Sequence, residues 1–299
     1  MSKRESISRF SLIINKLRKG PASFADIDAY LAKESDLQEY NFRISKRTFD
    51  RDRLDIASLY NIEIEYNFST RMYSITDEQK PEANERILEA FDTFNALNIT
   101  DRLSNFIYFE KRKPQGTEHL YGVLHAIKNN KQIKYEYYKY WDETHSIKTV
   151  EPYALKEFKQ RWYILAKDTK DGYIKTFALD RMSDLSICKQ SFMPNTEFDL
   201  NDYFKNCFGI ISSRGKDLEE VLLSFSPMQG KYIKSMPLHE SQHIVIENEN
   251  ETRVSLQVYP TFDLVQELLS YGDNVKVLGP QSLIKEMKLN LSKALELYK

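Results

Sequence analysis

The spacing of apolar side chains changes along this chain, and that change limits the folds open to it. Through residue 60 the apolar positions recur at three and four residues, the spacing of one helix face. From 131 to about 191 they recur mostly at two, the spacing of one strand face. From about 217 the two periods take turns. Such blocks within 299 residues imply separately folded parts rather than one continuous layer.

In the first block, SRFSLIINKLRKG places Phe10, Ile13, Ile14 and Leu17 at helical spacing, and Gly20 and Pro21 end the run. SFADIDAYLAKES offers Ser23 as N-cap with Asp26 three residues on, and a stripe of Phe24, Ile27, Tyr30 and Leu31. In ISKRTFDRDRLDIASLYN, Ser45 is the expected N-cap, and Phe49, Ile56 and Leu59 form the expected inward face. IEIEY and RMYSI then alternate around NFST, a hairpin. Three short helices followed by a two-stranded wing is the winged helix-turn-helix pattern, expected here over residues 1–78.

Arg47, Asp50, Arg51 and Leu54 share one face of the third helix. A helix fits the major groove, where arginine bonds guanine bidentately. The candidate DNA contacts are Ser45, Lys46, Arg47, Thr48 and Arg51 on the helix, with Arg71 and Tyr73 on the wing. The same charges suit a solvated face on which Asp50, Asp52 and Asp55 pair with the arginines, Arg51 with Asp55 for example. The helices before and the wing after favour DNA.

Residues 79–114 are expected as a helical linker. Its stripe of Ile87, Leu88, Phe91 and Phe94 packs on its own chain or on a second copy. GTEHLYGVLHAIKNN is a further helix with Leu120, Val123, Leu124 and Ile127 inward. KQIKYEYYKY, SIKTVEPYALKEF, RWYILAKD, GYIKTFALDRM and SDLSI then read as strands of a small barrel over 115–195. Within RWYILAKD, Trp162, Ile164 and Ala166 line a core face. Arg161, Tyr163, Leu165 and Lys167 line a second face, apolar in the middle and cationic at both ends. After a linker at 196–216, residues 217–299 run in βαββαβ order, which is ferredoxin-like, and close on a helix. Pro227 and Pro280 suit the first helical turn, Thr261 is the expected cap of the second helix, and Gly272 ends it. The expected fold class is α+β.

Net charge is −1, which argues against a protein coated in nucleic acid but allows a local basic element. No apolar run is long enough to span a bilayer, and the N-terminus does not have the form of a secretory signal. Two cysteines are too few for a disulfide framework, so a reducing cytoplasm is the expected compartment. No nucleophile elbow, phosphate loop or dinucleotide fingerprint appears. His239 and His243 fall in an alternating stretch and are expected exposed and far apart. Cys188 and Cys207 are expected as small buried residues, and His119 and His125 as incidental. No catalytic residue, metal or cofactor is expected.

RWYILAKD, with KTVEPYAL upstream and IKTFALDRMSDLSI downstream, resembles the WYL domain, named for a Trp-Tyr-Leu triplet. Ile164 stands in its third place. SKRTFDRDRLDI is similar to the recognition helix of WYL-domain transcriptional regulators. The order of parts is similar to theirs over nearly the whole chain: a winged helix-turn-helix, a central Sm-like barrel, and a C-terminal WCX extension. The resemblance implies a bacterial, homodimeric regulator of double-stranded DNA. Its barrel would sense a small anionic, nucleotide- or nucleic-acid-like ligand.

The resemblance puts Tyr137, Ser146, Lys148, Arg161, Tyr163, Phe177 and Arg181 in the ligand region, with Lys148 where an arginine is expected and the bidentate fork is lost. Alternation agrees in kind. It puts Lys175, Phe177, Leu179 and Arg181 on one face, Ile133, Tyr135, Tyr137 and Lys139 on another, and Ser146, Lys148 and Val150 on a third. If these converge with Arg161 and Tyr163, the patch binds phosphate by charge-assisted bonds and bases by stacking. An RNA or single-strand-binding module, and an accessory subunit of a nucleic-acid-processing defence complex, are the alternative readings.

Overall fold

The computed structural model describes residues 3–38, 40–79, 81, 84–90, 115–194, 198–213 and 215–299. The chain divides into two compact units, Met1–Glu110 and Lys111–Lys299. In the first, α1 (Lys3–Arg18), α2 (Phe24–Gln38) and α3 (Lys46–Tyr60) precede the hairpin of β1 (Ile62–Asn67) and β2 (Met72–Glu78). A further helix, α4, covers 84–90.

The caps are those the sequence offers. Ser23 Oγ accepts the Asp26 N–H at 3.2 Å while the Asp26 carboxylate accepts the Ser23 N–H at 3.0 Å, a reciprocal cap. Ser45 Oγ accepts the Thr48 N–H, and Asn61 ends α3 in the left-handed conformation. Ile13, Ile14, Ile27, Leu31, Phe49, Ile56 and Ile62 meet in one core, joined by Leu88 of α4.

Two expectations for α3 change. Its inward face is Phe49, Asp52, Ile56 and Tyr60, while Leu59 is 59% exposed. Asp52 faces the core because Arg9 of α1 meets it there, Nε to Oδ2 at 2.6 Å and Nη2 to Oδ1 at 3.1 Å. Both side chains are buried. A charge removed from water needs such a bidentate partner. Phe91, Phe94 and most of the expected linker lie outside the described residues.

The second unit holds two sheets. In the first, α5 (Leu120–Lys128) leads into β3 (Lys131–Lys139), β4 (Thr144–Phe158), β5 (Arg161–Asp168), β6 (Ile174–Ala178) and β7 (Met182–Ser191). The strands are antiparallel in the order β6-β5-β4-β3-β7. Among the described residues no ladder joins β6 to β7, and one 3-10 turn, Leu179–Arg181, carries the chain between these edges. Ile133, Tyr135, Val150, Ile164, Ala166 and Phe177 form the core with Val123 and Ala126 of α5. Leu124, expected inward, is exposed.

After α6 (Leu200–Phe204) come β8 (Glu219–Phe225), α7 (Pro227–Ser235), β9 (His243–Glu247), β10 (Thr252–Val258), α8 (Phe262–Ser270), β11 (Val275–Gly279) and α9 (Gln281–Glu296). The antiparallel order β11-β8-β10-β9 is the ferredoxin-like one. Ser226 caps α7. Thr261 holds the cap position of α8, but its hydroxyl is buried and makes no capping bond. Among the described residues no helix is long and apolar enough to cross a membrane.

Candidate functional site

Two clusters of cations stand out, one in each unit. On α3, Arg47 and Arg51 are exposed and form no ion pair with a described residue. Ser45 and Thr48 are spent on the cap, their hydroxyls 3.0 Å apart. Lys46 is partly spent as well. Its ammonium lies 2.8 Å from Asp50, bonds the Tyr73 hydroxyl, and sits 4.5 Å from the Tyr73 ring centre. Burial would lower its pKa, but Asp50 and Tyr73 raise it above the usual lysine value.

Tyr73 does not face a duplex. It is 2% exposed, its ring lies edge-on to Phe49 at 4.9 Å, and its backbone bridges Ala22. Strand alternation places Tyr73 on one face of the wing, and packing against Phe49 of α3 and the Ala22 backbone makes that face the inner one. Arg71 is exposed at the wing tip. Two exposed apolar residues accompany these cations, Leu54 at 73% and Phe68 at 86%. Leu54 was legible from its spacing with Arg47 and Arg51, and Phe68 from its place in the NFST turn.

The central sheet separates residues that the sequence reading put together. Pairing sets Tyr137 opposite Ser146, Tyr135 opposite Lys148, and Val150 opposite Asp168. It sets Ile164 opposite Phe177 and Ala166 opposite Lys175. Tyr137, Ser146, Lys148, Lys175 and Phe177 therefore share the core face of β5. Tyr163 pairs with Lys156 and Ala178 and belongs to the other face, with Arg161. Alternation relates residues within one strand, whereas only register relates neighbouring strands. A bulge at Pro152/Ala154 shifts that register within β4.

On the core face, Asp168 gathers the lysines. Lys148 Nζ lies 3.0 Å and Lys175 Nζ 3.2 Å from its Oδ2, and the Lys170 N–H bonds its Oδ1 at 3.0 Å. Burial would raise Asp168, but these donors outweigh it and hold the carboxyl below its ordinary value. Lys175 also contacts Asp171. Among the described residues the Tyr135 hydroxyl is buried without a hydrogen-bond partner, and burial pushes its pKa up. Asp168 was missed by the sequence reading. The signal was its even spacing from Ile164 and Ala166, a carboxylate aimed at the core.

Next to this network, the Tyr137 hydroxyl accepts the Ala178 N–H at 3.3 Å. Burial raises Tyr137, against the influence of Arg181. Its ring lies edge-on to Phe177 at 5.4 Å. The Arg181 guanidinium stacks 4.4 Å from the Tyr140 ring centre. Among the described residues, Arg181 Nε, Ser146 Oγ and Asp180 Oδ1 are buried without hydrogen-bond partners. Asp180 pairs with Arg161 at 2.5 Å. A buried donor without an acceptor costs about 1–3 kcal/mol.

The second face of RWYILAKD meets the segment leading to the C-terminal sheet. Thr176 Oγ1 donates to the Ile210 carbonyl at 3.1 Å, and the Lys156 ammonium lies 4.0 Å from the Phe204 ring centre. Burial lowers the Lys156 pKa. Asp263, at the start of α8, accepts the N–H groups of Ile210 at 2.9 Å and Ile211 at 3.0 Å. Cys207 is buried, but Cys188 is only half-buried. His239 lies outside β9, half-buried, with Nδ1 2.8 Å from Ser241 Oγ. Burial lowers its pKa. Among the described residues no group of His, Cys, Asp and Glu could hold a metal.

Comparison with known proteins bears on both sheets of the second unit. Residues 118–187 match the WYL domain, and residues 217–295 match the WCX domain. The chain carries a WYL domain followed by a WCX domain. The WYL match spans α5 through most of β7, and the WCX match spans the ferredoxin-like part. Among solved structures, Proteasome accessory factor B/C (PafBC) of Arthrobacter aurescens is 19% identical with a TM-score of 0.35. The alignment covers 96% of this chain but only 46% of that one, so this chain spans under half its length. A CRISPR Cas-related protein is 10% identical with a TM-score of 0.41, over 97% of this chain and 92% of that one. No curated protein sequence matches the chain.

Proposed function

We propose that this WYL-domain protein is a ligand-responsive, sequence-specific DNA-binding transcriptional regulator that works as a homodimer. The observation that carries this reading is the exposed, uncompensated pair Arg47 and Arg51 on α3. That helix is capped by Ser45, held from behind by Arg9 and tied to its wing. Arg53 Nε and Nη2 both bond the Ile64 carbonyl, at 3.0 and 2.5 Å. A rigid helix presenting free guanidinium groups suits guanine in the major groove. A two-fold dimer would read symmetric half-sites.

The effector reading rests on the corner formed by Tyr137, Ser146, Arg181 and Tyr140. Arg181 would take an anionic group, and Tyr140 a flat one. Lys148 and Lys175 already share Asp168, so the ligand is nucleotide-like rather than a polyanion held by net charge. Ligand acts on DNA binding only through different affinity for two states of the protein.

The test is binding of the purified protein to a duplex carrying its own upstream region, against a scrambled duplex, across a salt series. Specificity of about a thousandfold with a steep salt slope is the expected result. Equal, weak binding to both duplexes defeats the proposal. One observation favours a second reading, a single-strand-binding module. Trp141 is 99% exposed beside Tyr140, and the Tyr138 ring lies tilted against His145 at 4.7 Å, a group of rings on which bases could stack. Tight binding of a single strand that survives Arg47→Ala would select it.

A further inference from the structure

The wing tip carries an aromatic side chain that the fold leaves outside its core. Phe68 is 86% exposed at the turn between β1 and β2, with its ring edge-on to Tyr66 at 5.0 Å. The turn beneath it is braced. Asn67 Oδ1 accepts the N–H groups of Ser69 at 2.9 Å and Thr70 at 3.1 Å, and Arg71 holds a φ of 59°. Met72 beside it is also exposed. The wing is pinned at both sides, by the Tyr73 bridge to Ala22 and by Arg53 on Ile64. The tip therefore moves with α3 rather than swinging on its own.

Charge says which part of the wing accepts a polyanion. Glu63, Glu65, Asp77 and Glu78 lie away from the turn, whereas residues 67–72 carry one charge, the Arg71 cation. A phosphate backbone is repelled along the strands and accepted at the tip.

We propose that Phe68 is a wedge that stacks on a base step in the minor groove beside the site read by α3, with Arg71 on the adjacent phosphate. This rests on the DNA-binding reading above. Inserting an apolar side chain between base pairs costs stacking energy, and the cost is least at flexible pyrimidine–purine steps. Phe68 thereby selects a TA or CA/TG step flanking each half-site without bonding a base edge.

The experiment uses the full chain on a duplex carrying its own upstream region. Dyes at the duplex ends report bending, and 2-aminopurine placed at successive steps reports unstacking. Wild type should bend the duplex and raise fluorescence at one flanking step. Phe68→Ala should abolish both signals and weaken binding about tenfold, while Phe68→Trp should keep them. Replacing that step by a stiff one should weaken wild type and leave Phe68→Ala unchanged. Arg71→Ala should weaken binding on every sequence and reduce the salt slope by about one. If wild type binds specifically and Phe68→Ala binds and bends as it does, the wedge is overturned while the DNA reading stands, and the tip is left to a protein partner. If wild type does not prefer its upstream duplex over a scrambled one, the DNA reading fails and takes the wedge with it. Phe68 is exposed, so loss of folding does not mimic the expected result.

Discussion

On α3, Arg47 and Arg51 are exposed and form no ion pair with a described residue. On the core face of the WYL domain, Lys148 and Lys175 share Asp168 at 3.0 and 3.2 Å, and at its edge Arg161 holds Asp180 at 2.5 Å. The two regions use the same residue types in opposite electrostatic states. Free cations on a surface gain by replacing counterions when a polyanion arrives. Cations already paired gain little from net charge and bind through placed donors instead. Counting basic residues would have ranked the two regions alike. Arg181 differs from these pairs: its guanidinium lies against the Tyr140 ring, and its Nε is buried without a hydrogen-bond partner among the described residues.

The largest effect should come from the free pair. The double substitution Arg47→Ala and Arg51→Ala should lower affinity for the specific duplex about a thousandfold and reduce the salt slope by about two. The melting temperature should stay within a degree or two. An affinity loss below about threefold would break the comparison from this side.

From the other side, Asp168→Asn leaves two ammonium groups around a buried position without their shared carboxylate. The expected loss is about 3 kcal/mol, read as a lower midpoint in thermal unfolding followed by tryptophan fluorescence. Asp50→Asn on exposed α3 should change stability by about 0.5 kcal/mol or less. Equal losses for the two would show that burial does not distinguish the clusters.

Acid sharpens the same contrast. The folded pKa of Asp168 is lowered, so its contribution is present above the unfolded carboxylate value, about 4. It is lost as pH falls through the lower folded value. The stability difference between wild type and Asp168→Asn should therefore shrink as pH is taken below about 4. A difference that stayed constant down to pH 2 would show that Asp168 is not the group that titrates.

The smallest effect concerns the joint between the WYL and WCX domains. A Cβ on Gly209 would stand 2.4 Å from Asp263 Oδ2. Gly209→Ala should push that carboxylate off the Ile210 and Ile211 N–H groups. Amide hydrogen exchange at these two positions should speed up about tenfold, the equivalent of one hydrogen bond. Duplex affinity without ligand should not change.

The elements were legible where their signals are local. Ser23 with Asp26 and Ser45 with Thr48 announce two helix starts within four residues. The alternation of periods after residue 217 yields the ferredoxin-like order because each connection is short. The candidate sites were less legible. Arg47 and Arg51 could be placed on a face by helical spacing, and Phe68 in the wing turn, but Tyr73 could not be sorted into inside or outside. That depended on where α3 and the Ala22 backbone meet the wing.

The sequence by itself determined most of the helices and strands, their order, the WYL and WCX resemblance, and the residue types from which a site could be built, though not α6 (Leu200–Phe204) in the expected linker. Tertiary structure alone decided that Asp52 belongs to Arg9, 43 residues away, and not to the arginines of its own helix. It alone put Tyr163 on the opposite face from Tyr137 and Phe177, and gave Asp168 both lysines. The physical reason is the range of the interactions. Capping and periodicity act within a few residues of one chain segment. Ion pairs, strand register and burial depend on which distant segments meet.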